Sequence, residues 1–202
     1  MNEQRYTELS DIETRDDELE ISGYAIVFGE PSKVLGGSKG FREVISHRAL
    51  EGVSLDDTHL YYQHNQDQIL ANTKSGTMNL SITDRGLHFS ARMADTQLGK
   101  DTYKLIKRGD LSAMSFGFRV AKDSWNVMTS PETRTVEKIL DLSEISIVSR
   151  PAYEQSSVNA RSAEFLLECR DCRLETQVKN DSANDMLTLA KELLKEVQTK
   201  EK

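Results

Sequence analysis

Between residues 21 and 160 the apolar positions recur mostly every second residue, in short runs broken by turn residues, which predicts strands rather than helices. The runs are ISGYAIVFGE, FREVI, HLYYQH, TMNLSI, GLHFSARM, LSAMSFGFRV and VEKILDLSEISIV. GEPSKVLGGSKG reads as a loop, TDRG as a tight hairpin connection, and KDSWNVMTSPET as a polar excursion before the last strand. The period changes in DTQLGKDTYKLIKRGD. There Leu98, Thr102, Leu105 and Ile106 share a helical face, Asp95 or Thr96 offers a cap, and Lys107, Arg108 and Gly109 make an end. Ala49, Leu50 and Val53 fit a short helical turn. The expectation is a β-rich α+β domain over 21–160, a barrel or folded sheet with a few helices.

Beyond residue 160 the pattern becomes helical. Met186, Leu187, Leu189, Ala190, Leu193, Leu194 and Val197 repeat at helix spacing after the polar run TQVKNDSAND, so 161–202 is expected to be a helical C-terminal extension outside the core. Residues 1–20 hold eight acids against two arginines while the middle of the chain balances at sixteen each, so the net charge of −7 belongs largely to an acidic N-terminal arm. No basic stripe suits a phosphate backbone, and direct nucleic-acid binding is not expected. No stretch is long and apolar enough to span a bilayer, and no membrane partner is expected. The first twenty residues carry neither the basic leader nor the apolar region of a secretory signal, which points to a cytoplasmic protein. Cys169 and Cys172 form a C-x-x-C, half of a zinc site with no histidine nearby to complete it, and read as two helix cysteines. No metal or cofactor is expected.

One strand carries a residue its neighbours do not explain. In LSAMSFGFRV, Met114, Phe116, Phe118 and Val120 point one way, which leaves Ser115 on the other face between Ala113 and Gly117, as a hydroxyl open to close approach. A serine nucleophile needs a base that titrates near neutral pH and a group that orients that base. Of the four histidines, His47 reads as part of a surface connection and His88 as a solvent-facing strand residue, while His59 opens the strand HLYY. His64 ends that strand, in phase with Leu60 and Tyr62, where the chain leaves for NQDQ, and it is the preferred base. In the last strand Leu140, Leu142, Glu144, Ser146 and Val148 share a face by alternation, so Glu144 brings a carboxylate that burial would force to pair. Asp141 is the weaker choice for the acid, and Asp67 a local third.

These stretches resemble a known family. GYAIVFGE, YYQHN, KRGDLSAMSFGF and LSEISIVSRPAYEQSSV, in this order over roughly residues 20–160, are similar to the HK97-type prohead proteases of tailed phages, the capsid maturation serine proteases. The resemblance implies a fold like that of the herpesvirus assembly proteases, a β-barrel with surrounding helices, and a triad of His64, Ser115 and Glu144. It makes Arg150, in SRPAY, a candidate for holding the oxyanion, and Gly117 a residue that keeps the approach to Ser115 open. It further implies the major capsid protein or scaffold as substrate, cleavage of the enzyme itself, and work inside the immature capsid in the host cytoplasm. The herpesvirus enzymes form dimers, which extends the expectation to a homodimer. The competing reading is a capsid-associated or scaffolding protein with a protease-like barrel and no turnover.

Overall fold

The alternation is realised as ten strands, with one helix, among the described residues of a computed structural model; these residues are 3–8, 13–15, 19–36, 40–149 and 170. In chain order the elements are β1 (Glu3–Glu8), β2 (Glu13–Arg15), β3 (Glu20–Val27), β4 (Phe41–Ile45), β5 (His59–Tyr62) and β6 (Asn65–Asn72). They continue as β7 (Met78–Ile82), β8 (Gly86–Arg92), α1 (Gln97–Arg108), β9 (Ala113–Asn126) and β10 (Glu132–Val148). The chain divides into two units, Met1–Ala160 and Arg161–Lys202, and these elements belong to the first. Arg150, Cys169, Cys172 and, Arg170 apart, the segment expected as a helical extension lie outside the described residues.

The frame is the antiparallel β9–β10 hairpin. Alternation in β9 sends Met114, Phe116 and Phe118 into the core, and Val120 packs at its margin. Both strands run further than the sequence suggests: KDSWN continues β9, so the expected polar excursion shrinks to 127–131. Ladder hydrogen bonds, the Arg134–Asp123 and Lys122–Glu137 ion pairs and the Phe41–Trp125 ring contact hold this ribbon, which needs few apolar residues and therefore reads as a loop. β10 is long enough to take two parallel partners on one side, β4 along Glu132–Val136 and β5 along Glu144–Ile147.

The strands form two sheets, ordered β1-β9-β10-β5-β6 with β4 added beside β10, and β2-β3-β8-β7. They share a hydrophobic cluster: Phe116, Phe118, Ile145 and Ile147 come from the first, Ile21, Ile26, Leu87 and Phe89 from the second, and Tyr103 and Ile106 from α1. The β-rich reading stands. The closed barrel does not, because β1 and β6 end their sheet without pairing to each other. Alternation reports which face of a strand is buried and carries no information on whether the outermost strands meet.

Helix α1 follows its sequence signals. The Thr96 side chain accepts from the Gly99 N–H at the start, and Gly109 adopts the left-handed conformation at the end, φ 86°, where a side chain would be strained. The N-terminal acidic segment contributes β1, which pairs with Ala113–Phe118 of β9. It is fastened by charge. Arg134 of β10 is 1% exposed and donates to Glu3, Glu43 and Asp123, while Arg5 donates to the same Glu3 and Glu43. Burial opposes the charge on the Arg134 guanidinium, and the carboxylates around it outweigh that opposition, holding its pKa above the usual arginine value.

Candidate functional site

The face of the first sheet turned away from Phe116, Phe118, Ile145 and Ile147 is assembled by register. Gly117 stands opposite Glu144 and Ser115 opposite Ser146 across β9–β10. On the far side of β10, His59 of β5 is opposite Glu144 and Tyr61 opposite Ser146; on the far side of β9, Gln4 of β1 is opposite Gly117. Opposed residues in a ladder share a face. Ser115, Glu144 and Ser146 are therefore neighbours although they come from segments that alternation alone cannot align.

Glu144 reaches that face through a bulge. The ladder pairs Leu142 with Phe118 and Glu144 with Gly117, so Ser143 is an extra residue that reverses the parity of β10. Leu142 consequently joins the core while Glu144 turns the other way, which corrects the expectation that the two share a face. Ser143 Oγ donates to the Gly117 carbonyl at 3.2 Å and ties the bulge down. Leu140, expected on the same face, is exposed.

His64 is carried by a strained turn. β5 and β6 are joined by Gln63 and His64, with Tyr62 paired to Asn65 and φ of 53° and 60° at the two linking residues. Two-residue turns of this hand favour Asn-Gly, because both residues must take left-handed backbone, so Gln-His is a costly choice. NQDQ, expected as a loop, is the first half of β6. The turn returns the imidazole toward β10, where Nδ1–H donates to Glu144 Oε1 at 2.8 Å. With the Nδ1 proton held there, the neutral ring presents Nε2 as its basic atom. Gln4 Nε2 also donates to Glu144 Oε1, at 3.4 Å.

Gly117 has a definite steric role. A Cβ at this position would lie 2.8 Å from Glu144 Cγ and 3.0 Å from Oε1, so the absent side chain makes room for the carboxylate. That role differs from the expected one of opening the approach to Ser115. Glu144 is 7% exposed, and its charge, after burial, raises the pKa of Tyr61, to which Asp57 also contributes. Ser115 is 0% exposed and its Oγ carries no hydrogen bond among the described residues; the same holds for Ser146. The hydroxyl expected to be approachable is thus enclosed.

The remaining candidates stand elsewhere. Asp141 pairs with Arg119 on the solvent side, and Asp67 is exposed in β6. His47 packs beside Phe28 and His88 against Tyr24. His59 stacks on Tyr61 and meets Asn72 Nδ2 at 3.3 Å. Sequence reasoning passed over Gln4, Tyr61 and Ser146 as site residues; only Ser146 left a signal, its alternation with Glu144. Among the described residues no group of three or more His, Cys, Asp or Glu side chains is arranged to hold a metal ion.

A family model described as caudovirus prohead serine protease matches residues 6–168, which includes every residue of this site except Gln4. No curated protein and no solved structure matches the chain.

Proposed function

The chain belongs to the caudovirus prohead serine protease family, and we propose that it is a serine endopeptidase in which Ser115 is the nucleophile, His64 the general base and Glu144 the acid that orients the base. The observation that carries this reading is the 2.8 Å bond between His64 and Glu144, on the sheet face that also bears Ser115. The strained Gln63–His64 turn aims the imidazole at Glu144, and the bulge that seats Leu142 in the core also turns Glu144 onto this face.

The reaction follows from the roles. Ser115 Oγ bonds to the scissile carbonyl carbon while its proton passes to His64 Nε2; the tetrahedral centre then expels the amine, which leaves with that proton. Water, deprotonated by the same imidazole, releases the acid product and restores Ser115. Glu144 keeps the proton on Nδ1 and stabilises the imidazolium formed midway. The family resemblance adds Arg150 for the developing oxyanion. Its substrates are scaffold or capsid-protein segments and the enzyme itself, cut inside the immature capsid, with the chain acting as a homodimer.

The test is co-expression with the capsid protein. Wild type should shorten the capsid chain or itself, and Ser115→Ala should leave both intact while melting at the same or a higher temperature. Identical fragment patterns from the two proteins would sink the peptidase and favour a structural capsid component.

A further inference from the structure

Ser146 is a second hydroxyl at the site, and none of the three roles above uses it. It is 0% exposed, its Oγ carries no hydrogen bond among the described residues, and it is opposite Ser115 in the β9–β10 ladder. A buried hydroxyl without a partner is destabilising, and alanine would fill nearly the same space without that cost. Two such hydroxyls opposite one another call for a reason beyond packing.

Their placement supplies one. Opposed residues on neighbouring strands have Cβ atoms about 4.5–5.5 Å apart, so a rotation about χ1 is enough to join the two oxygens. The imidazole is also close at hand. Tyr62 is opposite Ile147, so His64 starts beyond the level of Ser146, yet its Nδ1 reaches back to Glu144, two residues before Ser146. Ser146 therefore lies along β10 between the levels of His64 and Glu144, with Ser115 beside it on β9.

We propose that Ser146 is a positioning residue for the nucleophile: its hydroxyl donates to Ser115 Oγ and thereby aims the Ser115 O–H at His64 Nε2. This rests on the peptidase reading above. A serine oxygen has two lone pairs and one proton, so the Ser146 donor occupies one lone pair, His64 takes the proton, and the second lone pair attacks. Without Ser146 the Ser115 hydroxyl is free to turn among its rotamers, and the productive one is populated less.

The experiment uses the full chain and diisopropyl fluorophosphate, which phosphorylates an activated serine with loss of fluoride and of the serine proton. Rates are read by mass spectrometry for wild type, Ser115→Ala and Ser146→Ala, alongside melting curves and the downfield Nδ1–H resonance of His64. Ser146→Ala should be labelled about tenfold more slowly, the worth of one neutral hydrogen bond. Its melting temperature should equal or exceed that of wild type, and the His64 resonance should not move. An unchanged labelling rate would overturn the role of Ser146 while the peptidase stands. So would a displaced resonance, which would mean that Ser146 acts by supporting the ring. Labelling lost in Ser146→Ala and kept in Ser115→Ala would exchange the two serines and overturn both readings. No labelling of wild type would overturn the peptidase, and the role of Ser146 with it.

Discussion

The two ends of β10 bury polar groups in opposite ways. At its start, Arg134 is surrounded by carboxylates from β1, β4 and β9, each bonded to it at 2.6–2.8 Å at closest approach. Near its finish, Glu144 has a partner in His64, but the adjacent hydroxyls of Ser115 and Ser146 have no hydrogen-bond partner among the described residues. The first cluster is closed and structural. The second leaves two buried hydroxyls uncommitted, at a cost in stability. Closure of hydrogen bonds thus distinguishes the Arg134 cluster, which holds the sheet together, from the group proposed above to react.

The comparison is broken most forcefully at Glu144. Glu144→Gln keeps the shape and removes the charge, so the cleavage rate of the capsid substrate should fall by about 10⁴-fold while the melting curve stays close to wild type. Loss of stability with little loss of rate would put Glu144 in the structural class. Arg134→Met makes the converse test. It removes the guanidinium shared by Glu3, Glu43 and Asp123, leaving Arg5 to hold the first two, and should lower unfolding free energy by about 3–5 kcal/mol in urea titrations, with the rate per folded molecule retained. Inactivity of a fully folded Arg134→Met protein would show that the two clusters are one.

Smaller changes sharpen the boundary. Gly117→Ala drives a methyl into the Glu144 carboxylate and displaces His64 in turn, so the rate should drop by about 10²-fold, with only a modest fall in melting temperature. An unchanged rate would mean that the carboxylate position does not matter to turnover. Gln63→Asn is the mildest. Asparagine accepts left-handed backbone more readily, so the protein should gain up to about 1 kcal/mol, less whatever the Gln63–Ser149 hydrogen bond contributes, at constant rate. A rate that falls as the turn relaxes would tie the strain itself to the placement of His64.

Much of this was legible because it is local. The faces of β9, the caps of α1 at Thr96 and Gly109, and the TDRG connection between β7 and β8 follow from a few consecutive residues. His64 follows from its place at a strand end and Glu144 from the demand that a buried carboxylate be paired, and the structure joins them. Arg134 was not legible. In ETRTVEK it is one polar residue among several, and its burial depends on acids up to 131 positions away. The extended ribbon of β9 and β10 was missed for a related reason, since its polar side chains give no alternation to read.

What the residue order determines alone is which side of each segment avoids water, because that follows from the chemistry of neighbours two or four positions apart. Which segments lie side by side, and in what register, was decided only by the tertiary structure. Backbone hydrogen bonds are the same for every residue, so a ladder carries no label for its partner; the Ser143 bulge, the Gln63–His64 turn and the meeting of Ser115 with Ser146 exist only once the strands have aligned.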